Sequence, residues 1–440
     1  MKINNGDALH LVLFGTTNEG KYFLQEFRDK FDLVGFNANM IAYSPEFMAL
    51  FISKLSNKTF FIDPQTYAFQ QPTKTLLKKS NGKLVPKKSL LKLAQIYGSK
   101  ILELIGKDSL DPALLSDTEI KLISGSVLTF QKSFVQSNIS EEIREFLEGE
   151  IIQPAFLISP YFYMQADNIT EVLRANVKFI EESKKLLEAD DKLYAEIAIS
   201  QEVLNDPVLC NNLETHYQSA AVDGYVLWID NFSELEATEY LLNRFKHFIR
   251  SLSSSKRPII MLHGSYLSIV FSSMHFKYLA AVGHGIEYGE NRALVPVGGG
   301  VPTAKFYFPK YHQRIKYDSE TQDILLEMNW IKSRKTFLEN VCDCDICKSL
   351  IIDDDVVNHF ITYGETKLSE KNDKLYPTGK ALDLSRRHYL TNKIIEYKKL
   401  NSLTLDEIVN DLGVAQEEVN KFKTVLSINH LARWKNVILQ

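Results

Sequence analysis

Three of the chain's four cysteines fall in one short window, Cys342-Asp-Cys344-Asp-Ile-Cys347; the fourth is Cys210. Thiolates this close are costly unless a soft cation lies among them, and Zn²⁺ takes four tetrahedral ligands. Cysteine supplies three, so a downstream histidine should supply the fourth. His359, His388 and His430 are the candidates. His388 is favoured because it opens an amphipathic stretch, HYLTNKIIEYKKL, whose face can lie against the cysteine loop. A Cys₃His set leaves no open coordination position, so one structural Zn²⁺ per chain is expected rather than a catalytic one.

Other residues with chemical potential end short apolar runs. LHLVLFG (9–15), TFFID (59–63), PAFLISP (154–160), LYAEIAIS (193–200), DGYVLWID (223–230) and PIIMLHG (258–264) read as strands. The stretches 168–189 and 233–252 between them read as helices. Strands alternating with helices predict an α/β fold with a parallel sheet and helical crossovers; the length fits one (β/α)₈ TIM barrel with an appended subdomain, and such a barrel places its chemistry at the C-terminal rim of the strands. The expected division is a barrel over 1–330, a zinc-binding subdomain over 331–400 and a C-terminal helical segment over 401–440. Thr404-Leu-Asp-Glu407 is a capping box that opens a helix, with Gly413 expected to close it and a last helix running to Gln440.

The totals exclude several classes. With 440 residues, 45% hydrophobic and 24% charged, the chain reads as globular. A net charge of -4 gives no global field toward nucleic acid, so any such site must be a local patch. The N-terminal apolar run is too short for a signal peptide or a membrane span, and few cysteines favour metal ligation over disulfides. A cytoplasmic protein with no membrane partner is the expectation.

The C-x-C-x-x-C and helix-borne His resemble the zinc subdomain of the tRNA-guanine transglycosylase superfamily, and further stretches are similar in the same order. Asp63-Pro-Gln-Thr-Tyr-Ala-Phe69-Gln70 resembles its Asp-Ser-Gly-Gly-Phe-Gln motif, and Asn81-Gly82 through Pro86 and Ser89 resembles its hairpin. Ile197 to Gln201 is similar to its Gln-Gly-Gly strand, and Asp223-Gly224-Tyr225 to its Asp-Gly-Tyr strand. Gly285-Ile-Glu287-Tyr-Gly-Glu290 resembles Gly-Ala-Asp-Leu-Phe-Asp, and His359 to Glu365 resembles the stretch before the zinc histidine. Both Gly-Gly pairs are replaced, the second by Trp228, Ile229 and Asp230, and Ser159 stands where a base-reading Asp is expected. That divergence is most like the DpdA-type branch, which places 7-deazaguanines in DNA.

The resemblance implies exchange of guanine for a 7-deazaguanine such as 7-cyano-7-deazaguanine, through a covalent glycosyl carboxylate. Replacing a base with retention takes two displacements, one carboxylate attacking and a second group moving the proton. By resemblance Glu290 is the nucleophile and Asp63 the general acid/base, with Asp230 and Glu287 as rival nucleophiles. Gln201, the backbone at Gly224, and also Asp230, Glu287, Phe69 and Ser159, form the expected base-binding set.

Two basic stretches stand against the acidic average. Pro64 to Leu102 holds eight lysines, Lys78 and Lys79 among them, and no acid. Lys305 to Tyr317 interleaves cations, including Lys310 and Arg314, with aromatics after the Gly298–Gly300 run. Both compositions suit phosphates and unpaired bases. A solvated lysine face and an aromatic strand packed on the barrel are the competing readings. DNA is the expected partner, tRNA the alternative, and a helicase-like helper or a second copy is compatible. A non-catalytic nucleic-acid-binding subunit is the rival outside enzymology. Residues 103–150 match nothing in this scheme.

Overall fold

The computed structural model describes residues 3–15, 26–27, 29–55, 59–146, 152–286, 289–294, 303–317, 319–370, 373–420 and 428–440. Glu287 and the Gly298–Gly300 run lie outside them.

The chain begins with three parallel strands, β1 (Leu9–Phe14), β2 (Leu33–Asn37) and β3 (Thr59–Asp63). A short antiparallel hairpin follows, β4 (Leu77–Ser80) and β5 (Lys83–Pro86), turning at Asn81 and Gly82, both with positive φ. Asn-Gly is the pair that such a turn demands. The parallel strands resume with β6 (Leu157–Ile158), β7 (Leu193–Ile199), β8 (Gly224–Ile229), β9 (Ile259–Met261) and β10 (Ala281–Gly285). Their order is β3-β2-β1-β10-β9-β8-β7-β6. The Ala155 N–H donates to Phe60 C=O at 2.8 Å across the remaining gap, so the eight-stranded sheet is nearly closed into a barrel. A second hairpin, β11 (Lys305–Phe308) and β12 (Gln313–Lys316), precedes the cysteine window, and a third, β13 (Thr366–Leu368) and β14 (Leu375–Pro377), follows it.

Strands buried on both faces read as continuous apolar runs, and these do. Alternate residues fill the interior: Phe61, Phe156 and Tyr194 stack in series, with ring centroids 4.9 and 3.9 Å apart. The six expected strands are all present; the two not foreseen are β2 and β10. Each carries a glycine where the barrel is crowded. A Cβ on Gly35 would lie 2.8 Å from the Phe61 ring, and one on Gly283 2.5 Å from Leu262 C=O. Those glycines disguise the strands as loops.

Amphipathic helices cover the outside. Glu239–Ser253 buries Leu242, Phe245, Phe248, Ile249 and Leu252 along one face, and Thr238 caps it, so it begins later than its 233–252 expectation. The helix Gly379–Leu400 packs over the β1–β10 seam. Tyr397 donates to Val282 C=O at 2.6 Å and stacks on His10 at 4.0 Å. It begins at Gly379, capped by Thr378, rather than at His388, which is central. The Thr404–Glu407 capping box is present, but its helix, Leu405–Asn420, runs through Gly413 instead of stopping there. A Cβ on Gly413 would lie 3.2 Å from the Lys435 ammonium of the last helix, Asn429–Leu439, so the glycine serves close packing. One apolar core joins the outer barrel face, the cysteine window and the last helix. The described residues of 331–440 are therefore packed onto the barrel. Among the described residues no helix is long and apolar enough to cross a membrane.

Candidate metal centre and barrel mouth

Cys344 caps the short helix that carries Cys347, and the chain folds back so that both thiols meet Cys342. Backbone N–H groups of Cys344 and Cys347 point at the sulfurs of Cys342 and Cys344 at 3.5 Å. His388 arrives from the seam helix with Nδ1 3.4 Å from both Cys344 and Cys347 Sγ. The four donor atoms lie within 4.8 Å of one another and all four residues are buried. His388 Nε2 lies 2.8 Å from Tyr307 C=O, which fixes Nε2 as the protonated nitrogen and leaves Nδ1 to face the thiols. Phe306 stacks on the imidazole at 4.3 Å. This donor set can hold a metal ion. Of the competing histidines, His359 is bound to Asp353 and His430 to Tyr311 C=O.

The barrel mouth gathers a second group. Asp63 ends β3 and is buried; its Oδ1 accepts from Tyr161 Oη at 2.7 Å and from the Gln65 N–H at 2.9 Å. Tyr161 is held by Thr66, whose hydroxyl accepts from its N–H and donates to its C=O. Burial raises the Asp63 carboxyl to about 6, against the pull of those two donors and of Arg292. Beside it, from the middle of β7, stands Glu196, 1% exposed. Neither of its oxygens has a hydrogen-bond partner, and burial, then Asp63, push it well above the carboxylate range. Glu196 and Arg292 were not anticipated. The available signal for Glu196 was a lone acid inside the apolar run LYAEIAI.

A cavity of about 290 Å³ opens next to this pair, lined by Gln65, Tyr67, Lys74, Lys87, Arg292 and Leu294, among others. Lys74 and Lys87, which flank the hairpin, and Leu77 at its base line one side; Lys78 and Lys79 are exposed on β4 and are not among the lining residues. Trp228 occupies the mouth: its indole meets Tyr67 edge-on at 5.5 Å, and its Nε1 donates to Arg292 C=O. Asp230 follows directly on β8, accepting from Tyr163 Oη at 2.9 Å and from the Leu294 N–H at 2.7 Å. Gln70 pins Tyr163 through two backbone hydrogen bonds.

Several expected base-binding residues are used otherwise. Gln201 donates to the carbonyls of Asp230 and Asn231, so its amide supports the rim. Gly224 opens β8 at the opposite end of the strand from Asp230, where a Cβ would lie 2.4 Å from the Tyr194 ring. Phe69 is a core residue set edge-on to Tyr97. Ser159 is buried, its N–H bonded to Tyr194 C=O.

Glu290 is not brought to Asp63. It is paired with the buried Lys393 of the seam helix at 2.7 Å, and its charged surroundings are Lys393, Glu396 and Glu234. Burial raises its carboxyl, with Lys393 opposing. Lys393 also pairs with Glu396 at 2.8 Å. Burial pulls the ammonium down, but the two carboxylates outweigh it and hold it above its ordinary value. Burial likewise pushes Glu396 up, yet Lys393 and His312 hold it at about 2.

The second basic stretch is turned inward. Phe306, Tyr307, Phe308 and Tyr311 are buried against the metal centre and barrel. Lys310 pairs with Glu418, and the Arg314 guanidinium lies 4.3 Å over the Tyr389 ring. The aromatics are core, and Lys310 is committed, which removes the reading of this stretch as a phosphate- and base-stacking surface.

The chain matches no known protein-family model and no curated protein.

Proposed function

We propose that the chain is a (β/α)₈ nucleic-acid guanine transglycosylase that replaces guanine in DNA by a 7-deazaguanine, with the Cys₃His centre holding a structural Zn²⁺. The observation that carries this is Asp63: a buried carboxyl at a strand end, raised to about 6, next to a cavity lined by Lys74, Lys87 and Arg292. An acid/base group works best with its pKa near the operating pH. In the first displacement a carboxylate attacks C1′, the C1′–N bond breaks toward the base, and Asp63 gives that base its proton. In the second, the entering base returns a proton to Asp63 as its nitrogen attacks C1′ and frees the carboxylate.

Asp230 suits the nucleophile's place better than Glu290. Its carboxylate is held by Leu294 and Tyr163, and Leu294 lines the same cavity, whereas Glu290 is committed to Lys393. Exposed Lys78 and Lys79 suit a phosphate backbone at the cavity's edge. A closed pocket requires the nucleotide to leave its stack. The donor chemistry favours zinc, since three thiolates and one imidazole form a closed tetrahedral set.

The test is incorporation of labelled 7-cyano-7-deazaguanine into duplex DNA, single-stranded DNA and tRNA in parallel. Label in DNA, abolished by Asp63→Asn and with its covalent adduct abolished by Asp230→Asn, is expected. Label in tRNA alone transfers the reading to the tRNA enzymes. A second reading, a binding subunit without catalysis, rests on Trp228, whose indole fills the mouth where the resemblance expects glycines. No label and no adduct with any polymer would establish that reading instead.

A further inference from the structure

A guanidinium whose N–H groups are cut off from water without an acceptor is costly, because buried charges are ordinarily paired. Arg314 has two such atoms. Its Nε and Nη1 are sealed from solvent and neither finds an acceptor, while the Tyr389 ring lies 4.3 Å under the guanidinium. Arg314 lines a cavity of about 140 Å³, the room of about five liquid waters. Lys305 lines it too and makes no ion pair among the described residues. Burial, then Arg314, pull its ammonium down. The inward turn that takes Lys305–Tyr317 off the surface thus leaves two of its cations facing one small cavity. The acids around that cavity are Glu234, Glu236 and Glu290. Both oxygens of Glu234 are taken up by the N–H and hydroxyl groups of Ser265 and Ser268. Glu290 is held by Lys393 at 2.7 Å, and Glu236 is exposed, where solvent screens it. The cavity lies past the C-terminal ends of three strands: Ser233 follows β8, Ser265 follows β9 and Gly289 follows β10. β9 and β10 are the seventh and eighth parallel strands along the chain, and parallel barrels commonly hold phosphate in the loops after those two. Asn291 lines this cavity and Arg292 the one beside Asp63, so neighbouring residues of one segment wall both.

We propose that this cavity is a phosphate site, in which the Arg314 fork and the Lys305 ammonium hold one tetrahedral oxyanion and Asn291 and Ser233 donate to its remaining oxygens. Phosphate supplies the acceptors that Arg314 lacks. A planar fork of N–H groups matches two of its oxygens, and an ammonium adds a point charge. The anion also gives both cations the counter-charge that Glu290, committed to Lys393, does not. Two sources carry this chemistry: a backbone phosphodiester of a polymer whose nucleotide enters the neighbouring cavity, and a free phosphomonoester. The first source rests on the transglycosylase reading; the site itself does not.

The experiment is a calorimetric titration of the full-length protein with inorganic phosphate, beside thermal melting in a phosphate series. One phosphate per chain should bind saturably and raise the melting temperature. Arg314→Lys keeps the charge but loses the fork, and should weaken binding by about tenfold or more. Lys305→Gln should weaken it by a similar factor. Glu236→Gln removes an opposing charge at the cavity's edge and should tighten it. If Arg314→Lys does not fold, the other two variants still decide. Binding that does not saturate, or that is the same in the variants as in the wild type, overturns the proposal. Displacement then reads the source. A single-stranded oligonucleotide without terminal phosphates that displaces inorganic phosphate identifies a polymer backbone. Displacement by deoxyguanosine monophosphate where the oligonucleotide has no effect identifies a free monoester. Because these readouts need no turnover, a protein that binds phosphate in this way yet exchanges no base refutes the transglycosylase reading alone. One that exchanges base and binds no phosphate refutes the phosphate site alone.

Discussion

Two sets of carboxyls are buried in this molecule by different means. At the barrel mouth, Asp63 and Glu196 have tyrosines and each other, with Arg292 acting on Asp63 from a distance. At the outer seam, Glu290 and Glu396 bracket Lys393, and His312 and Tyr307 complete Glu396. The first arrangement raises both acids; in the second, Lys393 and His312 hold Glu396 charged, while burial still raises Glu290 against the pull of Lys393. A site meant to move protons is built in the first way, and a joint meant to hold elements together in the second.

Breaking the seam at its metal end should have the largest effect. Replacing Cys347 by Ser, or stripping the metal with a chelator, should remove one equivalent of bound metal and unfold residues 334–400, because binding and folding of such a site are one equilibrium. Metal analysis beside thermal melting reads both. A protein that keeps its melting temperature after losing the metal would contradict the structural role. Next, Lys393→Met should cost about 3–5 kcal/mol in denaturant unfolding, since it leaves two carboxylates buried without their cation. Tyr161→Phe at the mouth should cost only about 1 kcal/mol, as one hydrogen bond is lost.

Acidity should separate Asp63 from Glu396 by sign. Asp63 binds its proton more tightly folded than unfolded, so its contribution is present below the unfolded value of about 4 and is lost as pH rises through about 6. Glu396 is the reverse: its contribution is present above the unfolded carboxylate value and is lost as pH falls toward about 2. His10 and His284, in contact at 2.7 Å, are both lowered by burial, His284 to about 3. Their contribution is full above about 6.5 and declines as pH falls from there. Unfolding free energy measured against pH should therefore fall in acid, and the fall should be shallower in Lys393→Met. Equal slopes would remove the seam as the source. The smallest effect concerns Thr404→Ala, which should cost about 1 kcal/mol through the lost cap and leave both regions intact.

What could be read from the chain follows from how local each cause is. Cysteine spacing and the Thr404 capping box are local, and both appear as expected, down to His388 among three histidines. Six strands were legible because burial on both faces leaves an unbroken apolar run. β2 and β10 were not, because Gly35 and Gly283 answer to neighbours on other strands. The pairing of Glu290 with Lys393 depends on a helix a hundred residues later, and no periodicity encodes it. Glu196 was in view yet passed over, although a single acid in a strand sealed on both faces must be paired, protonated or used. The sequence left Lys305–Tyr317 open between two readings for the opposite reason: composition shows that aromatics and lysines alternate, not which side faces solvent.

The seam helix also bears on how the protein is made. β1 pairs with β10, and both are covered by Gly379–Leu400. During synthesis β1 waits for Ala281–Gly285 before its second edge exists and for Gly379–Leu400 before it is covered. The same helix carries His388, which completes the donor set begun by Cys342, Cys344 and Cys347. Assembly of the donor set and covering of the seam thus fall at the same late moment. A nascent chain in which that step fails would leave the apolar seam bare, the kind of surface that chaperones and proteases recognise.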